Sequence, residues 1–190
     1  MSEFAITNIL QNARDGYSKA ITMVGEWEHN NHEGKAYYVE DNIELTDTEQ
    51  LTVKFSVPHG PEECHFSWDI KATGVCQITF HEDALGGMTG GTSVAVLNAN
   101  RNSAYGSSMV VFSGVTTSTA VGILIHDWRS GTISNKSDIS GGGAERNSEV
   151  ILKKGTTMLG RIVSGTTGNV VSFRSAWTEH APATGLKVAD

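Results

Sequence analysis

The chain has 190 residues, a mass of 20.3 kDa, a formal net charge of −7 and a pI near 5.4. That length fits one domain able to bury its own core without disulfides or a structural metal. The 14 basic residues are scattered, with Lys153-Lys154 the one adjacent pair, so the composition argues against nucleic-acid or anionic-membrane partners, whose phosphates need clustered Lys and Arg.

The N-terminus reads MSEFAITNILQNARDG, with an acid at position 3 and no basic region before its apolar part. This is not a secretory signal, and no run approaches the roughly twenty apolar residues of a membrane span. Synthesis in a cytosol without export by the general route is expected. Within 3–15, Ile6, Ile9, Leu10 and Ala13 recur at helical spacing, continued by Tyr17. Ser2 is placed to cap such a helix and Gly16 to end it. Residues 1–20 are therefore read as an amphipathic arm or short helix. It either packs on its own sheet or lies on a partner subunit.

The stretch GEWEHNNHEGK at 25–35 is the most enzyme-like. It holds His29, His32 and Glu33, but the spacing is not the His-Glu-x-x-His of zinc proteases. We read it as a polar loop, with metal binding and enzyme chemistry as the minor alternative. KAYYVED at 35–41 reads as a strand. QLTVKFSV at 50–57 alternates strictly: Leu51, Val53, Phe55 and Val57 face one way and polar residues the other. Pro58 and Pro61 stop it.

ECHFSWDI at 63–70 alternates in the same way, and VCQITFHE at 75–82 puts Cys76, Ile78 and Phe80 on one face. We read 63–71 and 74–82 as a hairpin turning near Ala72-Thr73, which separates Cys64 from Cys76 beyond disulfide reach. Both cysteines are expected to be buried free thiols, and two cysteines without a paired set do not build a zinc site. His65 and His81 fall on the outward side of these strands. GGMTGGTS at 86–93 lacks the lysine of a phosphate loop and reads as a surface loop.

Shorter strands are expected at 93–97, 107–113, 121–126, 148–153, 156–163 and 169–177, separated by Gly-, Ser-, Thr- and Asn-rich turns. Many short strands at spacings of about ten residues predict an all-β, antiparallel, jelly-roll-like β-sandwich over 21–178. Residues 179–190 read as a tail. Trp68 and Trp177 are expected in the core. Trp27 and Trp128 sit in polar, turn-like contexts, where exposed aromatics mark interfaces or sugar platforms. HDWRSGTISNKSD reads as a solvated loop, although Asp127 and Asp138 are carboxylates that a cation would accept. No cofactor is implied.

The tripeptide Arg-Asn-Ser occurs twice, at 101–103 and 146–148, each time beside an apolar run. Asn and Ser satisfy turn backbone and Arg offers a planar fork of donors. Each copy either pins its own loop or contacts another chain. The order of these segments resembles a family of small virion proteins of tailed bacteriophages, some of them head decoration or cement proteins. His32-Glu33-Gly34-Lys35, Asn100-Arg101-Asn102-Ser103 and the run from Glu145 through Arg146-Asn147-Ser148-Glu149 to Lys154-Gly155-Thr156 carry the resemblance, which covers about residues 32–178.

The resemblance implies a jelly-roll-like sandwich that trimerises on the outer surface of a phage head. There it would clamp neighbouring major capsid proteins, having been made in the host cytoplasm. Phe4, Ile6, Ile9 and Leu10 of the arm, with Arg101, Asn102, Arg146 and Asn147, are then the expected capsid or subunit contacts. The alternative is a glycan- or receptor-binding sandwich of a tail or head fibre, using Trp27, Trp128 and the Asp127/Asp138 loop.

Overall fold

The computed structural model describes residues 26–84, 88–116, 122–130, 140–143 and 149–180. The arm, with Phe4, Ile6, Ile9 and Leu10, lies outside them, as do Asp138, Arg146, Asn147 and the end of the chain.

Two antiparallel sheets pack face to face, as the alternation predicts. The first sheet orders β10 (Val150–Leu152), β3 (Glu63–Ala72), β12 (Asn169–His180), β1 (Ala36–Leu45) and β6 (Leu97–Asn98), and β9 (Ser140–Gly143) shares the edge of β3 with β10. The second sheet orders β5 (Thr92–Val94), β7 (Val110–Ser113), β2 (Gln50–Ser56), β11 (Thr157–Ser164), β4 (Cys76–Glu82) and β8 (Ile123–Ser130). Without β5, β6 and β7, the sheets read β1-β12-β3-β9/β10 and β2-β11-β4-β8. From β1 to β4 and from β10 to β12 successive strands cross between sheets, while β4 and β8 pair in one sheet, which is the wrapped order of a jelly roll. The three strands between β4 and β8 are an insertion. It widens the first sheet beyond β1 and the second beyond β2.

The core forms where the two inward faces meet. Phe55 and Phe66 pack edge to face with centroids 5.0 Å apart, and Trp177 stacks on Phe66 at 6.4 Å. Trp68 and Trp177 are buried, as expected. At one end of the sandwich, Gly165 N donates to Val75 O at 2.8 Å and Gly74 N donates to Asn169 Oδ1 at 2.8 Å. This is the Asn169 end. At the opposite, Glu179 end, Gly155 N donates to Pro58 O at 3.0 Å and the insertion folds across.

Five expectations need correction. Strands β3 and β4 are not a hairpin: β3 pairs with β12, and β4 pairs with β11 and β8 in the other sheet. Alternation fixes which face is apolar but not which strand lies alongside, and both faces point into one core. Cys64 therefore sits opposite Glu179, in the other sheet from Cys76. Both thiols are free and buried.

Second, residues 26–32 are not loop but a helix, α1 (Glu26–His32). It buries Asn30 against the sandwich and ends at Gly34, whose φ of 74° suits a residue without Cβ. Its Asn and His content gives little intrinsic helicity, so packing sustains it. Third, Asp127 and Trp128 belong to β8, which continues to Ser130. Fourth, β12 runs through Glu179 to His180, into the stretch read as tail, and Glu179 is buried.

Fifth, His81 lies on the outer face of β4 yet is buried. Its strand neighbour Leu159 also faces outward and joins Ala84 and Val115 in a second apolar cluster with Met88 and Phe112. Thr52 Oγ1 donates to Val115 O at 2.5 Å beneath the same cover. The insertion thus clothes part of the second sheet's outer face, which a strand-by-strand reading assigns to solvent.

Candidate docking surface

The first Arg-Asn-Ser segment lies just after β6, at the Glu179 end. It is held by asparagines rather than by its arginine. Asn98 Oδ1 accepts from Asn100 N at 2.8 Å, and Asn100 Oδ1 accepts from Asn102 N at 3.1 Å. These are successive side-chain turns that replace backbone pairing. The amide groups reach outward: Asn98 Nδ2 donates to Gly34 O at 2.7 Å and to Tyr105 O at 3.0 Å, and Asn100 Nδ2 donates to His32 O at 3.2 Å. The last carbonyls of a helix lack intrahelical partners, and here the loop supplies them.

The far side of the same loop is fixed by a buried carboxylate. Glu179 accepts from Ser107 Oγ at 2.5 Å, Ser108 N at 3.0 Å, Ser108 Oγ at 2.6 Å and Trp177 Nε1 at 3.0 Å. Tyr37 Oη donates to Gly106 O at 3.2 Å. Burial, with Glu179 adding to it, pushes the Tyr37 phenol up to about 12. The loop from 98 to 109 is clamped at both ends.

Between these clamps the side chains turn outward. Arg101 and Asn102 are exposed, and the Arg101 guanidinium has no ion-pair partner among the described residues. Tyr105 is 67% exposed. A fixed backbone carrying an exposed Tyr and an uncommitted Arg is the arrangement of an interface anchor, because those side chains bind with little further entropy loss.

The surrounding insertion has a second property. From Ala84 to Ile125 the sequence holds a single charged side chain, Arg101. Among the described residues, Tyr105, Val110, Ile123, Leu124 and Ile125 of this stretch are exposed large apolar side chains; outside it only Ile151 and Val170 are. Val110 pairs with Ser56 and Ile123 with Glu82, so both lie toward the Glu179 end of the second sheet. Depletion of charge with exposed aromatic and aliphatic groups is the composition of an interface centre.

The other sequence candidates separate. Trp27 rides on α1, at the Glu179 end of the first sheet. Trp128 lies opposite Ile78 in the second sheet, near the Asn169 end, and its ring stacks inward on Phe80 at 6.0 Å and on Trp68 at 6.0 Å. The two tryptophans form no joint platform. On α1, His29 Nε2 lies 3.1 Å from Glu33 Oε1, and Lys35 Nζ lies 3.1 Å from Glu33 Oε2. Lys35 holds the Glu33 carboxyl below its usual range. Among the described residues no three His, Cys, Asp or Glu side chains converge as metal ligands.

No protein-family model matches the chain, and no curated protein sequence is similar to it. The reading of this surface therefore rests on the residues themselves. Of the expected contacts, Arg101 and Asn102 lie on it. Tyr105, Val110 and the asparagine clamps escaped the motif-by-motif reading. The gap in charge between Asp83 and His126 is the signal that finds them.

Proposed function

We propose that this protein is a structural capsid decoration protein. It binds the outer surface of a bacteriophage head as a homotrimer and clamps neighbouring major capsid proteins. The resemblance of its segments to tailed-phage virion proteins supplies the partner. The observation that carries the docking face is the doubly clamped loop that holds Arg101, Asn102 and Tyr105 out from a nearly uncharged insertion. Several modest contacts of this kind, repeated by each subunit of a trimer, act together through avidity. The jelly-roll sandwich is a fold used by capsid and lectin domains alike, so the fold by itself does not choose between them.

The test is co-sedimentation with expanded and unexpanded phage heads. Wild-type protein is expected to saturate expanded heads. Arg101→Ala combined with Tyr105→Ala is expected to lower occupancy at least tenfold, because interface anchors of these types cost about 2 kcal/mol or more each when truncated. Wild-type protein that ignores both kinds of head would sink the proposal.

A further inference from the structure

Most cations among the described residues are matched within the chain. Lys35 reaches Glu33 at 3.1 Å, Lys71 reaches Asp69 at 3.1 Å and Lys153 reaches Asp83 at 2.7 Å. Arg161 Nε donates to Gln50 Oε1 at 2.8 Å, and Arg174 lies over the Tyr38 ring at 4.9 Å. Arg129 meets no such group among the described residues, but Asp127 stands two residues away on the same side of β8. Arg101 differs from all of these. The nearest acids along the chain are Asp83 and Asp127, and the two acids that border its loop are occupied. Glu179 accepts from Ser107, Ser108 and Trp177, and Glu33 is shared by His29 and Lys35.

An arginine presents a planar fork that meets a carboxylate through two parallel hydrogen bonds. Its surroundings say how that anion must be set. Tyr105 and Val110 are exposed and uncharged, and Arg101 is the one Lys, Arg, Asp or Glu between Asp83 and Asp127. A partner surface crowded with charge finds no match there. A polyanion such as nucleic acid is also unsuited, because phosphates in series need clustered cations and the chain as a whole carries −7. A single carboxylate within a neutral, partly apolar protein surface is the complement.

We infer that Arg101 receives a side-chain carboxylate of the protein on which its loop docks, and that this acid stands alone in a neutral, apolar-rich patch facing Tyr105. This deepens the decoration reading and rests on its docking face. Such a pair chooses the partner as well as holding it, since a surface with a cation or no charge at that point leaves the guanidinium repelled or unpaired.

The experiment is a co-sedimentation titration on expanded phage heads at low salt, with wild type, Arg101→Gln, Arg101→Glu and Arg101→Lys. Lys71→Glu, on β3 toward the Asn169 end, alters the net charge as much as R101E and serves as control. The Arg101 side chain is exposed and takes no part in the clamps, so these variants keep the fold, which circular dichroism checks. K71E is expected within about twofold of wild type. R101Q is expected to bind about tenfold more weakly than wild type, and R101E about tenfold more weakly again, because it sets like charges opposite each other. Heads saturated with R101K are then treated with a zero-length carbodiimide, which joins an amine to a carboxylate in contact with it. Mass spectrometry is expected to find residue 101 joined to an Asp or Glu of a head protein. R101E equal to R101Q, K71E as weak as R101E, or residue 101 joined to its own chain or to nothing overturns the inference and leaves the decoration reading standing. Wild type that ignores heads overturns both.

Discussion

Glu179 follows Trp177 by two residues on β12, and its Oε1 accepts the indole N–H of that tryptophan at 3.0 Å. The same carboxylate receives Ser107 Oγ and both the backbone and side chain of Ser108. A core aromatic and a surface loop are thus joined through one buried acid. Glu179→Ala leaves the Ser107 and Ser108 donors without this acceptor, Trp177 Nε1 keeping only the longer bond to Ser107 Oγ at 3.2 Å, and unsatisfied buried groups cost about 1–3 kcal/mol each. Partial rehydration offsets some of that, so a net loss of about 3 kcal/mol is expected in urea unfolding. Glu179→Gln keeps an acceptor oxygen but turns an amide donor toward other donors, and about half that loss is expected. Stability equal to wild type for E179A would show that the carboxylate does not hold the loop.

The thiols give a prediction of reactivity. Burial, and secondarily Glu179 across the β3–β12 pair, pushes Cys64 up to about 12, and burial also raises Cys76. The thiolate is the reactive species, so neither cysteine should react with a disulfide reagent at pH 8 in native protein. Both should react in denaturant. Rapid labelling of one thiol under native conditions would contradict its burial.

The sandwich was legible because β2 and β3 alternate throughout between apolar and polar residues and β4 does so from Cys76 to His81. Pairing was not legible. Cys64 and Glu179 are far apart in sequence, and nothing local in either strand names the other. The helix α1 escaped for a different reason: EWEHNNH has poor propensity, and Asn30 is buried by contacts that only the folded β1 and β12 provide. At the candidate surface, Arg101 and Asn102 were found from a repeated tripeptide. The contacts by which Asn98 and Asn100 fix them were not, since their partners His32 O and Gly34 O belong to the end of an unforeseen helix and to the turn after it.

His81 makes stability depend on pH. Burial, reinforced by the positive charge of Arg161, lowers its folded pKa below the ordinary 6.5. The unfolded chain therefore takes up the proton more readily. The stabilising contribution is present above about 6.5, the unfolded value, and is lost as pH falls toward the depressed folded value. His81→Gln should flatten the difference in unfolding midpoint between pH 7.5 and pH 5.5 relative to wild type. An identical pH profile for H81Q would assign the dependence to other groups.

Gly34 and Asn100 act on one joint. Gly34 has φ of 74°, and a Cβ there would collide with Ser103 Oγ. Gly34→Ala adds backbone strain to that collision and pushes the loop away from α1, for an expected cost of about 2 kcal/mol. Asn100→Ala removes the donor to His32 O and the acceptor for Asn102 N, for about 1 kcal/mol. Once the loop has been displaced, the Asn100 contacts are already broken. The double variant should thus lose less than the sum of the two single changes. Groups that share a joint couple in this way, whereas independent sites add within about 0.5 kcal/mol. A double-variant loss equal to the sum, read from urea midpoints, would show that the helix end and the loop are held separately, and that Arg101 and Tyr105 do not depend on α1 for their position.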